Sequence, residues 1–168
     1  MLEIVEKLSS AVSVAVCATI ELPFELRQKS RFNTTLASGE AVVIRLARGE
    51  ILRGGDLLRA ADGRVIQVVA RPEQLIHCQC ADPTGLARLA YHLGNRHWPV
   101  QLGEGYLRIG KEAVIEAMLR GLGAQLVDVI APFEPEAGAY GGVHAHREVN
   151  GASGARIHEY GAAEHSDK

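Results

Sequence analysis

Histidine is the residue type whose placement in this chain points most directly to chemistry. His97 lies between an arginine and a tryptophan, and His144 and His146 lie two residues apart in a segment rich in glycine and alanine. Neutral imidazole suits nickel, copper, zinc and cobalt, whereas calcium and magnesium prefer oxygen ligands, which the side chains of residues 141–146 lack. These three histidines are therefore candidate ligands of a transition metal.

The C-terminal part of the chain is rich in histidine. Four of the seven histidines lie after Gly138, a bias that a neutral linker composition would not produce. Gly141 and Gly142 precede the His-x-His pair and would let both rings turn onto one ion. His158 and His165 are secondary candidate ligands. A His-x-His pair also occurs in many solvated tails, so that interpretation stays open.

A helix is predicted to position His97. Asp82 is a favoured N-cap residue, and Pro83 suits the first helical position. Apolar residues follow at helical spacing: Leu86, Leu89, Ala90 and Leu93. We expect Gly94 to adopt the left-handed conformation that ends such a helix, and Pro99 to prevent its continuation. His97 would then be exposed on a tight, rigid turn.

Other residues that can bind metals have structural interpretations. His92 lies on the flank of the apolar stripe of this helix and is either a packing residue or a secondary ligand. We interpret His77 as a strand-face residue. Cys78 and Cys80 face the same side of a predicted strand as Ile76, which places them in a sheet interior. Because no Cys-x-x-Cys pair accompanies them, we expect no structural zinc site.

The overall composition excludes several classes of partner. The chain is 47% hydrophobic with a net charge of -2, from 18 basic and 20 acidic residues, which provides no footprint for nucleic acid or an anionic membrane. No run reaches the roughly 18 apolar residues of a membrane span. Acidic residues precede the apolar run from Ala11 to Ile20, which we interpret as a strand and not a signal peptide. Three cysteines make no disulfide framework, so we expect a cytoplasmic protein.

The first 72 residues have the pattern of a small antiparallel β domain. Short β-branched runs alternate with turns, and Asp62-Gly63 is a strong hairpin signal. The basic residues Arg27, Lys29 and Arg31 precede one of these strands. We interpret them as a solvated face and assign them no chemistry.

Residues 73–137 have a different pattern, with strands and helices in the order βαββαβ. The second predicted helix ends at Gly123, and the domain boundary falls near Arg71–Glu73. That order is typical of a ferredoxin-like domain, in which two helices cover one face of a four-stranded antiparallel sheet. Residues 138–168 lack helical or strand periodicity, and we expect a flexible tail. The predicted class is therefore α+β.

Three stretches of this sequence resemble the UreE family of urease accessory proteins. The segment YHLGNRHWPVQ, from Tyr91 to Gln101, is similar to the family signature. Residues Met118–Tyr140 resemble its second helix, last strand and exit segment, and Lys29–Leu58 give a weaker match. Together the stretches cover most of residues 29–146 in the family's order.

The resemblance implies a cytoplasmic, homodimeric nickel metallochaperone that passes Ni(II) to a urease maturation GTPase and so to apo-urease. It implies that His97 is the principal ligand, at a symmetric dimer contact, and that His144 and His146 are auxiliary tail ligands. Some members carry a histidine pair at the position of residues 110–113, and some a polyhistidine tail, and this chain has neither. Fewer ions should bind as a result. Zn(II) would compete for the same ligands.

Two other function classes remain open from the residues alone. A small zinc- or nickel-dependent hydrolase could use the three candidate histidines as ligands and Glu134 or Glu136 as general base. A peptide-binding scaffold would rest on the β domain and leave the histidines incidental. No nucleophile elbow, phosphate loop or His-Glu-x-x-His helix occurs in the sequence. Ligands on a mobile tail also argue against preorganised catalysis, so we expect no enzyme.

Overall fold

The computed structural model describes residues 1–9 and 14–137, and the architecture is α+β, as predicted. The predicted tail, with His144, His146, His158 and His165, lies outside the described residues. Among those described, no helix is both long and apolar enough to cross a membrane.

In chain order the elements are β1 Leu2–Lys7, β2 Ala18–Leu22, α1 Phe24–Arg27, β3 Arg31–Thr35, β4 Ala41–Arg45, β5 Leu57–Ala60, β6 Val65–Ala70, β7 Pro72–Gln79, α2 Pro83–Gly94, β8 Gln101–Gly103, β9 Tyr106–Gly110, α3 Ala113–Gly121 and β10 Gln125–Pro132.

The first sheet has six strands in the order β2-β6-β5-β1-β4-β3. The hairpin signal is confirmed, since β5 and β6 are antiparallel and Gly63 has φ +90° in the turn between them. The prediction of a purely antiparallel domain is wrong, because β1 pairs with β4 and β2 with β6 in parallel. Parallel neighbours are joined by crossover connections, and apolar periodicity does not reveal which strands these will pair.

The apolar run from Ala11 to Ile20 does not form one strand. The strand begins only at Ala18, and residues 14–17 have no regular structure. Within the sheet, the strands bury one continuous core. Its fully buried side chains include Ile4, Ile20, Leu22, Val42, Ile44, Leu52, Leu58 and Ile66. Burial of this alternating set accounts for the stability of the sheet.

The second sheet has four antiparallel strands in the order β10-β7-β9-β8. Helices α2 and α3 pack on one of its faces, where Cys78 lies fully buried beside Leu89 and Leu119. The assignment of Cys78 to the core is therefore confirmed. Cys80 packs against the edge of the same cluster and is half-buried.

The two sheets meet through an apolar cluster. One residue, Arg71, separates β6 from β7, so the chain passes directly from one sheet to the other. Leu75 on β7 is buried against Phe24 of α1 and Phe133, which follows β10. The two phenylalanine rings meet edge to face with centroids 5.3 Å apart, a favoured aromatic geometry.

Arg27 lies at the centre of this junction and is fully buried, so its prediction as part of a solvated face is wrong. Its guanidinium donates hydrogen bonds to the carbonyl oxygens of Leu22 and Leu52, each at 3.2 Å, and to that of Phe133. The same group lies 2.9 Å from a carboxylate oxygen of Glu134. A buried cation persists only when its donors are matched in this way. No local pattern around Arg27 indicates that it is buried, because Leu52, Phe133 and Glu134 are distant from it in sequence.

Glu134 connects the exit segment after β10 to the first sheet. One carboxylate oxygen accepts a hydrogen bond from the Gly54 amide at 2.8 Å, and the other lies 3.1 Å from Arg53. Partial burial alone would raise the pKa of the Glu134 carboxyl, but the Gly54 hydrogen bond and the Arg53 and Arg27 contacts outweigh it, and the pKa is lowered. Glu134 is therefore held ionised at the junction.

Glu134→Gln should lower the free energy of unfolding at neutral pH by about 1–3 kcal/mol, because Arg27 loses its buried counter-charge. The folded pKa of Glu134 is below its ordinary value of 4.5. Its stabilising contribution is therefore present above that value and is lost as the pH falls through the folded pKa. Urea unfolding of both proteins from pH 7 to pH 3 measures this. The difference between wild type and variant should shrink as the pH falls.

Glu25→Gln is the matched control, since Glu25 forms an exposed ion pair with Lys29 at 2.6 Å. Exposed pairs contribute little to stability, so this variant should unfold much like the wild type. Equal effects of the two substitutions would contradict the importance assigned to the buried pair.

Candidate metal centre

The helix that precedes His97 begins as predicted. The Asp82 side chain accepts a hydrogen bond from the amide of Gly85 at 2.7 Å, and Pro83 occupies the first helical position. This cap satisfies a helix amide that would otherwise lack a partner. Leu89 and Leu93 are fully buried against the second sheet. The C-terminal end of α2 is thereby anchored by its own packing.

The end of this helix differs from the prediction. Gly94 is helical, and the residue with left-handed backbone is His97 itself, with φ +51°. The His97 amide donates to the Gly94 carbonyl at 2.9 Å, and the Trp98 amide donates to the Leu93 carbonyl at 3.1 Å. This pair of bonds is the Schellman motif, with His97 in the position that glycine usually occupies. The helical path therefore continues about one turn further than the glycine signal indicated.

Packing explains why the motif forms at His97. Trp98 packs against the cluster that contains Leu93, which is the apolar contact that commonly accompanies a Schellman ending. Left-handed backbone costs a residue with a Cβ atom roughly 1–2 kcal/mol, although histidine adopts it more often than most. The cost is tolerated because two hydrogen bonds and this contact define the turn. His97 thus has a constrained backbone and an exposed side chain, and its predicted exposure is confirmed.

His92 lies on α2, and its ring is half-buried. The ring meets that of Tyr91 edge to face, with centroids 5.4 Å apart. The His92 carbonyl accepts a hydrogen bond from the Arg96 guanidinium at 3.0 Å, which adds a link between the helix and the turn. These contacts are those of a packing residue whose side chain stays partly accessible.

His77 lies on the central strand β7, in agreement with its interpretation as a strand-face residue. Its ring stacks on Tyr106 with centroids 4.4 Å apart, and its Nδ1 atom lies 3.4 Å from the Arg108 Nε atom. Burial lowers the pKa of His77, and the nearby Arg108 charge lowers it further. This histidine belongs to an aromatic and cationic cluster on the sheet.

The thiol of Cys78 is unsuited to metal binding. Burial raises its pKa to about 12, so the group is protonated at neutral pH, whereas metals bind the thiolate. Within residues 1–9 and 14–137, no group of three or more histidine, cysteine, aspartate or glutamate side chains could hold a metal ion. Within this part of the chain, His97 therefore offers one exposed imidazole without a cluster of further ligands around it.

The two carboxylates considered as general bases differ in environment. Glu134 is committed to ion pairs with Arg27 and Arg53, and a carboxylate with a lowered pKa is a weak proton acceptor. Glu136 is exposed, and its amide donates to the Val100 carbonyl at 2.8 Å. The Glu134 environment therefore disfavours the hydrolase alternative.

Comparisons with known proteins match both halves of the chain. Residues 2–71 match the family model described as UreE urease accessory protein, N-terminal domain, and residues 73–167 match the model of the C-terminal domain. A protein of Burkholderia lata named urease accessory protein UreE is 50% identical over 137 residues, 82% of this chain and 66% of that protein. The chain thus spans about two thirds of that relative's length.

Two further relatives are matched over more of their length. Proteins of the same name from Nitrosospira multiformis and Alkalilimnicola ehrlichii are 49% and 51% identical. The first match covers 88% of this chain and 84% of the relative, and the second covers 84% and 86%.

Substitutions at His97 can separate its backbone role from its side-chain role. We expect metal-free His97→Gly to be about 1 kcal/mol more stable than His97→Ala, because glycine removes the steric cost of a Cβ atom at a left-handed position. Equilibrium unfolding in urea measures the difference. Equal stability of the two variants would show that His97 does not carry this constraint.

Gly94→Ala is the matched control for the same turn. Gly94 is helical, and a Cβ atom added there would meet no atom within 4 Å. Alanine should therefore stabilise the chain by about 0.5–1 kcal/mol through its higher helix propensity. A clear loss of stability would instead indicate that Gly94 needs left-handed freedom.

Proposed function

Because this chain belongs to the UreE family of urease accessory proteins, we propose that it is a metallochaperone that binds Ni(II) and delivers it for assembly of the urease active site. The family is one of accessory proteins, and the chain is not an enzyme. The observation that carries the proposal is His97, an exposed imidazole on a turn whose backbone is defined by a Schellman motif. An ion that is to be passed on needs accessible ligands, and the His97 imidazole is exposed.

The tight site is shared between two copies of the chain. One imidazole holds a divalent ion weakly, and the described residues offer no cluster that could complete the shell. In a two-fold symmetric homodimer, a residue near the axis meets its own copy, so two His97 rings would face one ion on constrained backbones. This arrangement supplies two ligands without the entropy cost of ordering a long segment.

Further ligands come from outside the described residues. His144 and His146 complete the nickel shell, and His92, His158 and His165 are secondary candidates. Gly141 and Gly142 precede the first two in the sequence, and glycine permits backbone conformations that other residues rarely adopt. Ligands of this kind can detach one at a time, which suits transfer of an ion better than catalysis.

The parts of the chain divide this work. We assign residues 73–137 to a ferredoxin-like metal-binding domain, supported by the strand order β10-β7-β9-β8 with two helices. Residues 1–72 form a partner-binding domain, and residues 138–168 the histidine-bearing tail. The protein acts in the cytoplasm, where it passes Ni(II) to a urease maturation GTPase and apo-urease. Zn(II) is a competitor, because imidazole binds both ions.

Metal titration of wild type and His97→Ala tests the shared site. We expect one tight Ni(II) ion per dimer in the wild type, and loss of that event in His97→Ala with weaker binding retained. Calorimetry gives the Ni(II) affinities, and native mass spectrometry, which separates dimer from monomer, gives the number of Ni(II) ions bound per dimer. Parallel titration with Zn(II) measures competition.

His77→Phe serves as the matched control in the same titration. It removes an imidazole but keeps an aromatic ring to stack on Tyr106. The tight event should persist in this variant. A tight site that survives His97→Ala, or one that saturates at one ion in an isolated monomer, would contradict the shared site.

Shortening the chain to end at Gly142 tests the auxiliary ligands. The sequence after Gly142 has no apolar periodicity, so the metal-free melting temperature should match that of the full chain. Nickel binding should weaken but persist through His97. A large loss of thermal stability in the metal-free protein would give residues 143–168 a structural role and remove the basis of this proposal.

A further inference from the structure

An open apolar groove lies at the junction of the two sheets, beside the His97 turn. Its volume is about 470 Å³. Phe24 and Ile51 line it from the first sheet's side, and Trp98, Val100 and Leu102 line it from the side of the second. Leu102 is 51% exposed, which is a large fraction for a leucine. Apolar walls of this kind are the surfaces that bind an aromatic or aliphatic side chain.

The groove joins the candidate metal ligand to the point where the described chain ends. Both His97 and Ala137 line it. The exit segment is directed there by backbone and side-chain contacts, since the Glu136 amide bonds to the Val100 carbonyl at 2.8 Å and Glu134 is held by the buried Arg27. The last described residue, Ala137, is therefore placed at the groove.

The sequence after Ala137 begins Gly-Ala-Tyr-Gly-Gly, so Tyr140 is the first large apolar side chain to follow. Three residues span at most about 10 Å, which keeps Tyr140 within reach of the groove walls. A tyrosine ring can bury 150–250 Å² while its hydroxyl stays in contact with water. An open groove that is apolar inside and exposed at its rim suits such a side chain.

We propose that this groove is the binding site of the C-terminal segment of the same chain, with the Tyr140 ring as its apolar anchor. The docking itself requires no metal. Its consequence for nickel rests on the proposed function: the anchor holds His144 and His146 close to His97 and raises their effective concentration at the ion. The first sheet thereby contributes to the site through Phe24 and Ile51, although neither residue binds metal.

Metal-free fluorescence tests the docking independently of nickel. Trp98 is the only tryptophan in the chain, and it lines the groove. Ending the chain at Ala137 should shift its emission to longer wavelength, because water enters the vacated groove. Tyr140→Ala in the full chain should reproduce that shift. Ending the chain at Gly142, which keeps Tyr140, should leave the emission as in the wild type.

A variant on the groove wall provides the reciprocal test. Leu102→Ala removes part of the proposed contact at an exposed position, so the fold should tolerate it. Acrylamide quenching of Trp98 is measured in Leu102→Ala, in Tyr140→Ala and in the double variant. The change in the double variant should differ from the sum of the two single changes, as expected for residues in contact. Additive effects would overturn the proposal.

The metal consequence has its own readout. Tyr140→Ala should lower the Ni(II) affinity of the full chain by about tenfold, as expected when an anchoring contact raises effective concentration. Tyr160→Ala, the same substitution beyond the histidine pair, should leave it unchanged. If nickel does not bind at all, the proposed function fails while the fluorescence result still decides the docking.

Two further results would overturn the docking. In the first, emission in the chain ending at Ala137 equals that of the full chain. In the second, Trp98 emission depends on protein concentration and is insensitive to Tyr140→Ala, which would show that a second copy of the chain covers the groove.

Discussion

The buried guanidinium of Arg27 is the constraint on which the arrangement of the two sheets depends. A cation without contact to water needs acceptors for its donors, and the chain supplies them from Leu22, Leu52 and Phe133, with Glu134 as counter-charge. These acceptors come from both sides of the junction. Separating the sheets would leave the charge unpaired in an apolar setting, so the pair resists relative motion more than the apolar cluster alone would.

The same constraint directs the exit segment toward the turn that carries His97. Because Arg27 holds Phe133 and Glu134, the next residues lie alongside the strand that follows His97, and the Glu136 amide bonds to Val100. The candidate ligand His97 and the last described residue, Ala137, thus line one groove. Fold stability and the course of the exit segment are therefore coupled through the contacts of Arg27.

At the turn, by contrast, stability and ligand chemistry are separable. The two Schellman hydrogen bonds and the contact of Trp98 with the apolar cluster define the backbone of the turn. The His97 imidazole takes part in neither the hydrogen bonds nor this contact. A change in the contacts of the His97 side chain therefore need not disturb the helix. The other two described histidines, at positions 77 and 92, have aromatic neighbours, so His97 is distinguished by its exposure as well as its position.

The sequence by itself determined the features whose cause lies within a few residues: the start of α2 at Asp82 and Pro83, the left-handed Gly123 after α3, and the burial of Cys78. It also identified the exposed His97. Only the tertiary structure decided that Arg27 is buried, that two strand pairs are parallel, and that His97 itself adopts the left-handed position. The physical reason is the separation in sequence between the residues that interact. Caps and turns depend on neighbours along the chain. The distant partners of Arg27, which are Leu52, Phe133 and Glu134, meet it only when the chain has folded. The same holds for the pairing of strands and for the packing of Trp98 on the apolar cluster of the second sheet.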